Sequence, residues 1–262
     1  MSSNSQPEAT DPPSHPAAAR QPSVVCIFVL VPLMLLELVG MAAEGHKRSG
    51  TFAGAIMQMA ATLGLIWIVL GGIIMFLTRH RIRKLVSKSP LSQGATFIGF
   101  SVALALLEEA VTTTLTNLAS MFGSSEAFIT ASRNYFEVVL WHSVIVIAPM
   151  FLVWAWLLSR FKFSPTAVLL LFGTNGVLAE LLIGGPALLM APFWIFIYGL
   201  MIFLPAFSFS SRADTPSPRW FHYPSAVGGC LLASAAVALV VNLLAPHLPH
   251  FGSTLTFPKN PN

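Results

Sequence analysis

The chain has 262 residues, 55% of them hydrophobic, with 14 Lys or Arg against 10 Asp or Glu, a net charge of +4 and only 9% charged side chains. Soluble domains carry about 25% charged residues, so a soluble fold of this length would expose large apolar patches and aggregate. The composition therefore excludes an ordinary soluble globular protein. It points to an all-α, polytopic integral membrane helical bundle with six or seven transmembrane helices.

In chain order, residues 1–22 are rich in Pro, Ser and Ala and read as a disordered tail, because they carry too little apolar surface to order themselves. Seven apolar stretches follow at 23–43, 51–78, 95–121, 138–158, 166–184, 187–207 and 225–245. Each is near the twenty or so residues that cross about 30 Å of hydrocarbon. Unpaired backbone groups are prohibitive in lipid, so these are helices, and the period-two alternation of barrel strands is missing. The short GGP stretch at 184–186 makes the fifth and sixth spans a helical hairpin. Residues 246–262 form a short tail, with His247 and His250 as solvated side chains.

Orientation follows from the basic residues. The stretch RHRIRKLVSKS after the second span is read as a cytoplasmic loop, with Arg79, Arg81, Arg83, Lys84 and Lys88 placed to meet anionic lipid headgroups. Alternation from there puts ten Lys or Arg inside and four outside, an N-inside, C-outside topology in a plasma or inner membrane. Because the basic residues gather beside apolar segments, nucleic acid is not an expected partner. A second reading of the first span is a signal peptide, with Gly40 and Ala42 before the cut and a mature chain from near Ala43. Cys26 and Cys230 lie in apolar runs, which implies neither a disulfide framework nor a zinc site.

The charges also sort by depth. All 14 Lys and Arg lie outside the proposed spans, whereas Glu37, Glu108, Glu109 and Glu180 lie within them. A carboxylate at mid-membrane costs about 2.5–3.5 kcal/mol on insertion scales, so such residues face a cavity or a partner and are functional candidates by default. With no cation at their depth, they must be protonated, bonded to neutral donors, bound to a cation, or paired with His142.

The third span is apolar in its first half and polar in its second. At 100° per residue, Glu109, Thr113 and Asn117 form one row, with Glu108, Thr112 and Thr116 beside it. In the fourth span, His142 can be a metal ligand, a proton carrier or an interfacial side chain. Pro149, one turn beyond it, is placed to kink the helix. Arg133 and Glu137 are spaced as an exposed helical pair. The fifth span puts Gly173, Gly176 and Gly184 on a packing sector that also carries Glu180, with Asn175 close by. Trp141, Trp194, Tyr198 and Trp220 are assigned to interfacial belts or packing. The candidate ligand- or proton-binding set is thus Glu108, Glu109, Thr113, Asn117, His142, Asn175 and Glu180, with Glu109 and His142 as a candidate metal pair. The cofactor is left unknown by the sequence, though a P-loop is missing and a haem held between helices would want two membrane histidines.

The Glu108-Glu109 pair, followed after 33 residues by His142, resembles the CAAX-protease and bacteriocin-processing family of intramembrane glutamate proteases. The resemblance covers some 35 residues and implies glutamate-dependent hydrolysis. Thr113 occupies the position of that family's Arg and Val138 that of its Phe, and no His lies between His142 and His222 to begin its second histidine motif.

Three functions fit these residues. The first is a binding or transport protein whose outward-facing Glu/His/Asn cavity accepts protons, cations or small polar ligands. The second is an intramembrane metal- or glutamate-dependent hydrolase. The third is an assembly or scaffold protein whose polar and small-residue faces dock on a membrane-protein partner.

Overall fold

A computed structural model describes residues 22–183, 187–209 and 215–244. Most of the two expected tails, with His247 and His250, and the GGP turn at 184–186 lie outside the described residues. Among the described residues there is no strand.

The helices are α1 (Pro22–Lys47), α2 (Phe52–Val86), α3 (Gln93–Asn117), α4 (Tyr135–His142), α5 (Val144–Arg160), α6 (Pro165–Ile183), α7 (Ala191–Ser208) and α8 (His222–Leu244). Six of them are long and apolar enough to cross a membrane, and α4 with α5, bent by 50°, makes a seventh if the pair counts as one.

Local chemistry sets the boundaries. Thr51 and Ser92 cap α2 and α3 by accepting from the backbone N–H of Gly54 at 3.0 Å and of Ala95 at 3.3 Å. The stretch 79–86, expected as a loop, is instead the last two turns of α2. No Pro or Gly interrupts the chain between Gly72 and Pro90, and the carbonyl end of a helix favours cations such as Arg83 and Lys84. The expected kink at Pro149 falls six residues earlier, at Ser143, whose φ of −120° and ψ of −79° leave the helical region. There the chain closes a wide turn, with the Ser143 N–H donating to the Val138 carbonyl at 2.9 Å. Arg133 and Glu137 do not pair, because α4 begins only at Tyr135. Arg133 donates to the Ser125 carbonyl, and Glu137 accepts from Ser132 at 2.6 Å.

The core lies between α5, α6 and α7, where Phe151 and Phe172 stack at 5.3 Å and Trp154, Phe193, Met201 and Ile202 are fully enclosed. Helices α6 and α7 approach closely because glycines sit at their crossing. A Cβ on Gly173 would fall 2.3 Å from the Ile195 carbonyl oxygen, and one on Gly176 would fall 2.0 Å from the Tyr198 ring. Helix α1 belongs to the bundle. Met34, Leu38 and Met41 are buried, and Glu37 Oε2 accepts the Phe193 N–H at 2.8 Å, which places its carboxylate on the first turn of α7.

Gly173→Ala is expected to destabilise the protein by about 1–3 kcal/mol through overpacking against α7. Gly99→Ala, where a Cβ meets nothing within 4 Å, is expected to be neutral or slightly stabilising. Thermal unfolding of both variants in detergent checks this; equal midpoints would refute the close crossing.

Candidate functional site

A cavity of about 430 Å³ lies at the end of the bundle that carries the 118–134 segment and Met190, away from the basic end of α2. Its walls come from α2 (Ile56, Ala60, Leu63), α3 (Glu108, Glu109, Thr112), α4 and α5 (His142, Ile147, Met150), α6 (Phe172, Asn175, Glu180) and α7 (Phe193, Trp194, Tyr198). Five of the seven candidate residues therefore meet at one cavity: Glu108, Glu109, His142, Asn175 and Glu180. Among the described residues no Lys or Arg lines it.

The carboxylates are each held by a neutral donor. Glu108 Oε1 accepts from the Thr112 hydroxyl at 2.8 Å, one turn along the same helix. Glu109 Oε1 accepts from the Ser143 hydroxyl, which the break between α4 and α5 turns toward α3. Glu180 Oε1 accepts from the Tyr198 hydroxyl at 2.7 Å. That bond depends on Gly176: the Tyr198 ring lies where a side chain at 176 would be, and so its phenol reaches the carboxylate one turn further along α6. Glu108 and Glu109 also lie within Coulombic reach of Glu180, so the two helices bring three acids into one electrostatic neighbourhood.

Asn175 is fully enclosed. Its amide Nδ2 donates to the Leu171 carbonyl at 3.3 Å, while its Oδ1 has no partner. His142 lines the cavity and is buried, yet the acid whose charge reaches it is Glu137 rather than Glu108 or Glu109. Among the described residues no group of three or more His, Cys, Asp or Glu is arranged to hold a metal ion. Glu109 and His142 line the same cavity.

The remaining two candidates lie elsewhere. The exposed Asn117 donates through Nδ2 to the Arg133 carbonyl at 3.0 Å, and Thr113 is buried with its hydroxyl unpartnered. With Thr116, which accepts the Ile129 N–H at 3.2 Å, Asn117 pins the segment whose residues 128–131 complete the cavity wall. Two functional donors escaped the sequence reading. Ser143 carries no signal beyond its place after His142. Tyr198, assigned above to a belt or packing, is a carboxylate donor, and the signal that finds it is the glycine at 176 facing it across the crossing.

No family model, curated protein or solved structure matches the chain. The reading of the site rests on its geometry.

Tyr198→Phe removes the donor of Glu180 and is expected to cost about 1–3 kcal/mol, the penalty of leaving a buried acceptor unmatched. Adding Glu180→Leu to that variant is expected to recover part of the loss, because both partners are then apolar. Unfolding midpoints of the single and double variants measure the coupling; strictly additive losses would argue against the bond.

Proposed function

We propose that this chain is an integral membrane protein that binds cations, and moves them across the membrane, through the carboxylate-lined cavity between α3, α6 and α7. Lipid as the surrounding solvent is supported by the apolar side chains that the outer helices turn away from the bundle. Leu33, Leu36 and Val39 on α1, and Leu232, Leu239 and Leu243 on α8, are all exposed. The basic end of α2 is read as cytoplasmic, in contact with anionic headgroups of a plasma or inner membrane, which turns the cavity toward the opposite face. On this reading α1 remains in the mature protein, because cutting near Ala43 would strip buried side chains from the core and leave the Phe193 N–H without the Glu37 carboxylate.

The observation that carries the functional reading is the convergence of Glu108, Glu109 and Glu180 on one cavity that no Lys or Arg among the described residues lines. Neutral hydroxyl donors satisfy one oxygen of each carboxylate without cancelling its charge, and a cation supplies what the walls omit. In proteoliposomes, flux or saturable binding of protons or monovalent cations is expected, and Glu109→Gln is expected to abolish it; unchanged behaviour of that variant would end the proposal.

Hydrolysis is a second reading, favoured by the shared cavity of the Glu pair and His142. Cleavage of a fluorogenic membrane peptide, lost in His142→Ala, would establish it over transport.

Topology has its own test. In a chain whose Cys26 and Cys230 are replaced, a cysteine at position 47 is expected to react with a membrane-impermeant maleimide in intact cells, and a cysteine at position 88 only after permeabilisation. The reverse pattern would invert the orientation.

A further inference from the structure

The chemistry of the cavity narrows the class of ligand. Resting on the cation-binding reading above, we infer that the ligand is a protonated primary amine attached to an apolar, aromatic-sized body.

The first ground is hydrogen-bond accounting at the polar end. The side-chain hydroxyls of Thr112, Ser143 and Tyr198 are spent on Glu108, Glu109 and Glu180. What remains at the three acids is acceptor capacity, the second oxygens of the carboxylates. An ammonium group with three N–H donors matches this set in sign and in hydrogen-bond type. A hydroxyl matches only part of it, and a quaternary ammonium has the charge without the donors.

The second ground is the spacing of the acids. They converge on a cavity but form no cluster, among the described residues, that could hold a bare metal ion. A ligand with several donors on one nitrogen, or a nitrogen that moves between carboxylates, can use groups too dispersed for the tight oxygen shell of an inorganic cation.

The third ground is the apolar part of the lining. Trp194, Ile56, Met57 and Ala60 line the cavity and are only half-buried, so they offer aromatic and aliphatic surface that a small hydrated cation cannot use. A volume of about 430 Å³ lies within the range of small-molecule pockets, roughly 300–1,000 Å³, which pair apolar walls with a few placed polar groups.

A ligand series on the intact, detergent-solubilised protein tests this, with calorimetry and thermal shift as readouts. Tryptamine is the probe, tryptophol its neutral alcohol isostere, and its N,N,N-trimethyl derivative the donor-free cation. Tryptamine is expected to bind saturably and to raise the unfolding temperature. Tryptophol and the trimethyl compound are expected to bind about ten- to a hundredfold more weakly, the scale of losing a charged hydrogen bond. Glu180→Gln, which keeps the shape of the side chain, is expected to weaken tryptamine by a similar factor while far-UV circular dichroism and elution volume stay unchanged. Equal binding of tryptamine and tryptophol would overturn the inference, as would equal binding of the trimethyl compound. If proteoliposomes show Glu109-dependent proton or sodium flux but no amine binds, this inference falls and the cation-binding reading stands. If neither is seen, both fall.

Discussion

A carboxylate that has left water must find hydrogen-bond donors, and among the described residues no Lys or Arg reaches these buried acids to provide them. Much of the polar architecture answers that constraint. Glu37 takes a backbone N–H from the first turn of α7, Glu108 a threonine from its own helix, Glu109 a serine at a helix break, and Glu180 a tyrosine across a glycine crossing. Each solution needs a different local irregularity, and together those irregularities distinguish this structure from a plain bundle of apolar helices. The acids also divide by role. Glu37 sits at a helix N-terminus, where the dipole supplies partial positive charge, and lies off the cavity, whereas the other three line it.

The first half of α7 is where most of these demands meet. Within six residues it supplies the Phe193 N–H to α1, the Ile197 carbonyl to the Trp67 indole N–H of α2 at 3.0 Å, and the Tyr198 hydroxyl to α6. Trp67 lies in a widened, π-type stretch of α2, Gly64–Gly71, which begins where Leu38 of α1 fills the space of a missing side chain at Gly64. Such widened turns recur at functional sites because they re-aim side chains that a regular helix would point elsewhere. Here the widened turn aims an indole at the residue next to Tyr198, so packing of α1 on α2 and the position of a carboxylate donor are linked through one segment. Two neighbouring helices hold Tyr198 in place, and the glycines of α6 leave it room.

That the chain folds into six or seven long apolar helices was legible in the sequence, because hydrophobic runs of this length leave few alternatives. The four acids within those runs were legible too, since a charge in an apolar run needs no structural context to stand out. What was hidden is orientation around each helix. The row of Glu109, Thr113 and Asn117 is a correct statement about one helix face, yet Glu109 turns to the cavity, Thr113 is buried without a partner and Asn117 holds a loop. Which neighbour packs on which part of that face is decided by residues distant in sequence. Pro149 misled for a related reason. Proline marks where a hydrogen bond is missing, but the bend occurs where a partner rewards it, and at Ser143 the hydroxyl gains the Glu109 carboxylate. Tyr198 was hidden because aromatic residues near span ends have an ordinary explanation, and only the crossing at Gly176 removes it.

The choice of hydroxyl donors over basic side chains bears on what the cavity can do. A buried Lys or Arg would satisfy the same carboxylates more strongly, but it would also neutralise them, and an arriving cation would first have to displace a tethered one. Thr112, Ser143 and Tyr198 satisfy one oxygen of each carboxyl group and bring no positive charge of their own. Their hydroxyl protons rotate, so each bond can persist, lengthen or shift when a second donor approaches the other oxygen. Among the described residues the three acids are therefore hydrogen-bonded yet left without a neighbouring Lys or Arg. On the cation-binding proposal, that combination favours reversible occupation by a positive group. It also explains why the only described ion pair, Arg48 with Glu44, is found at an exposed helix end, where neutralising a carboxylate removes nothing that the cavity uses.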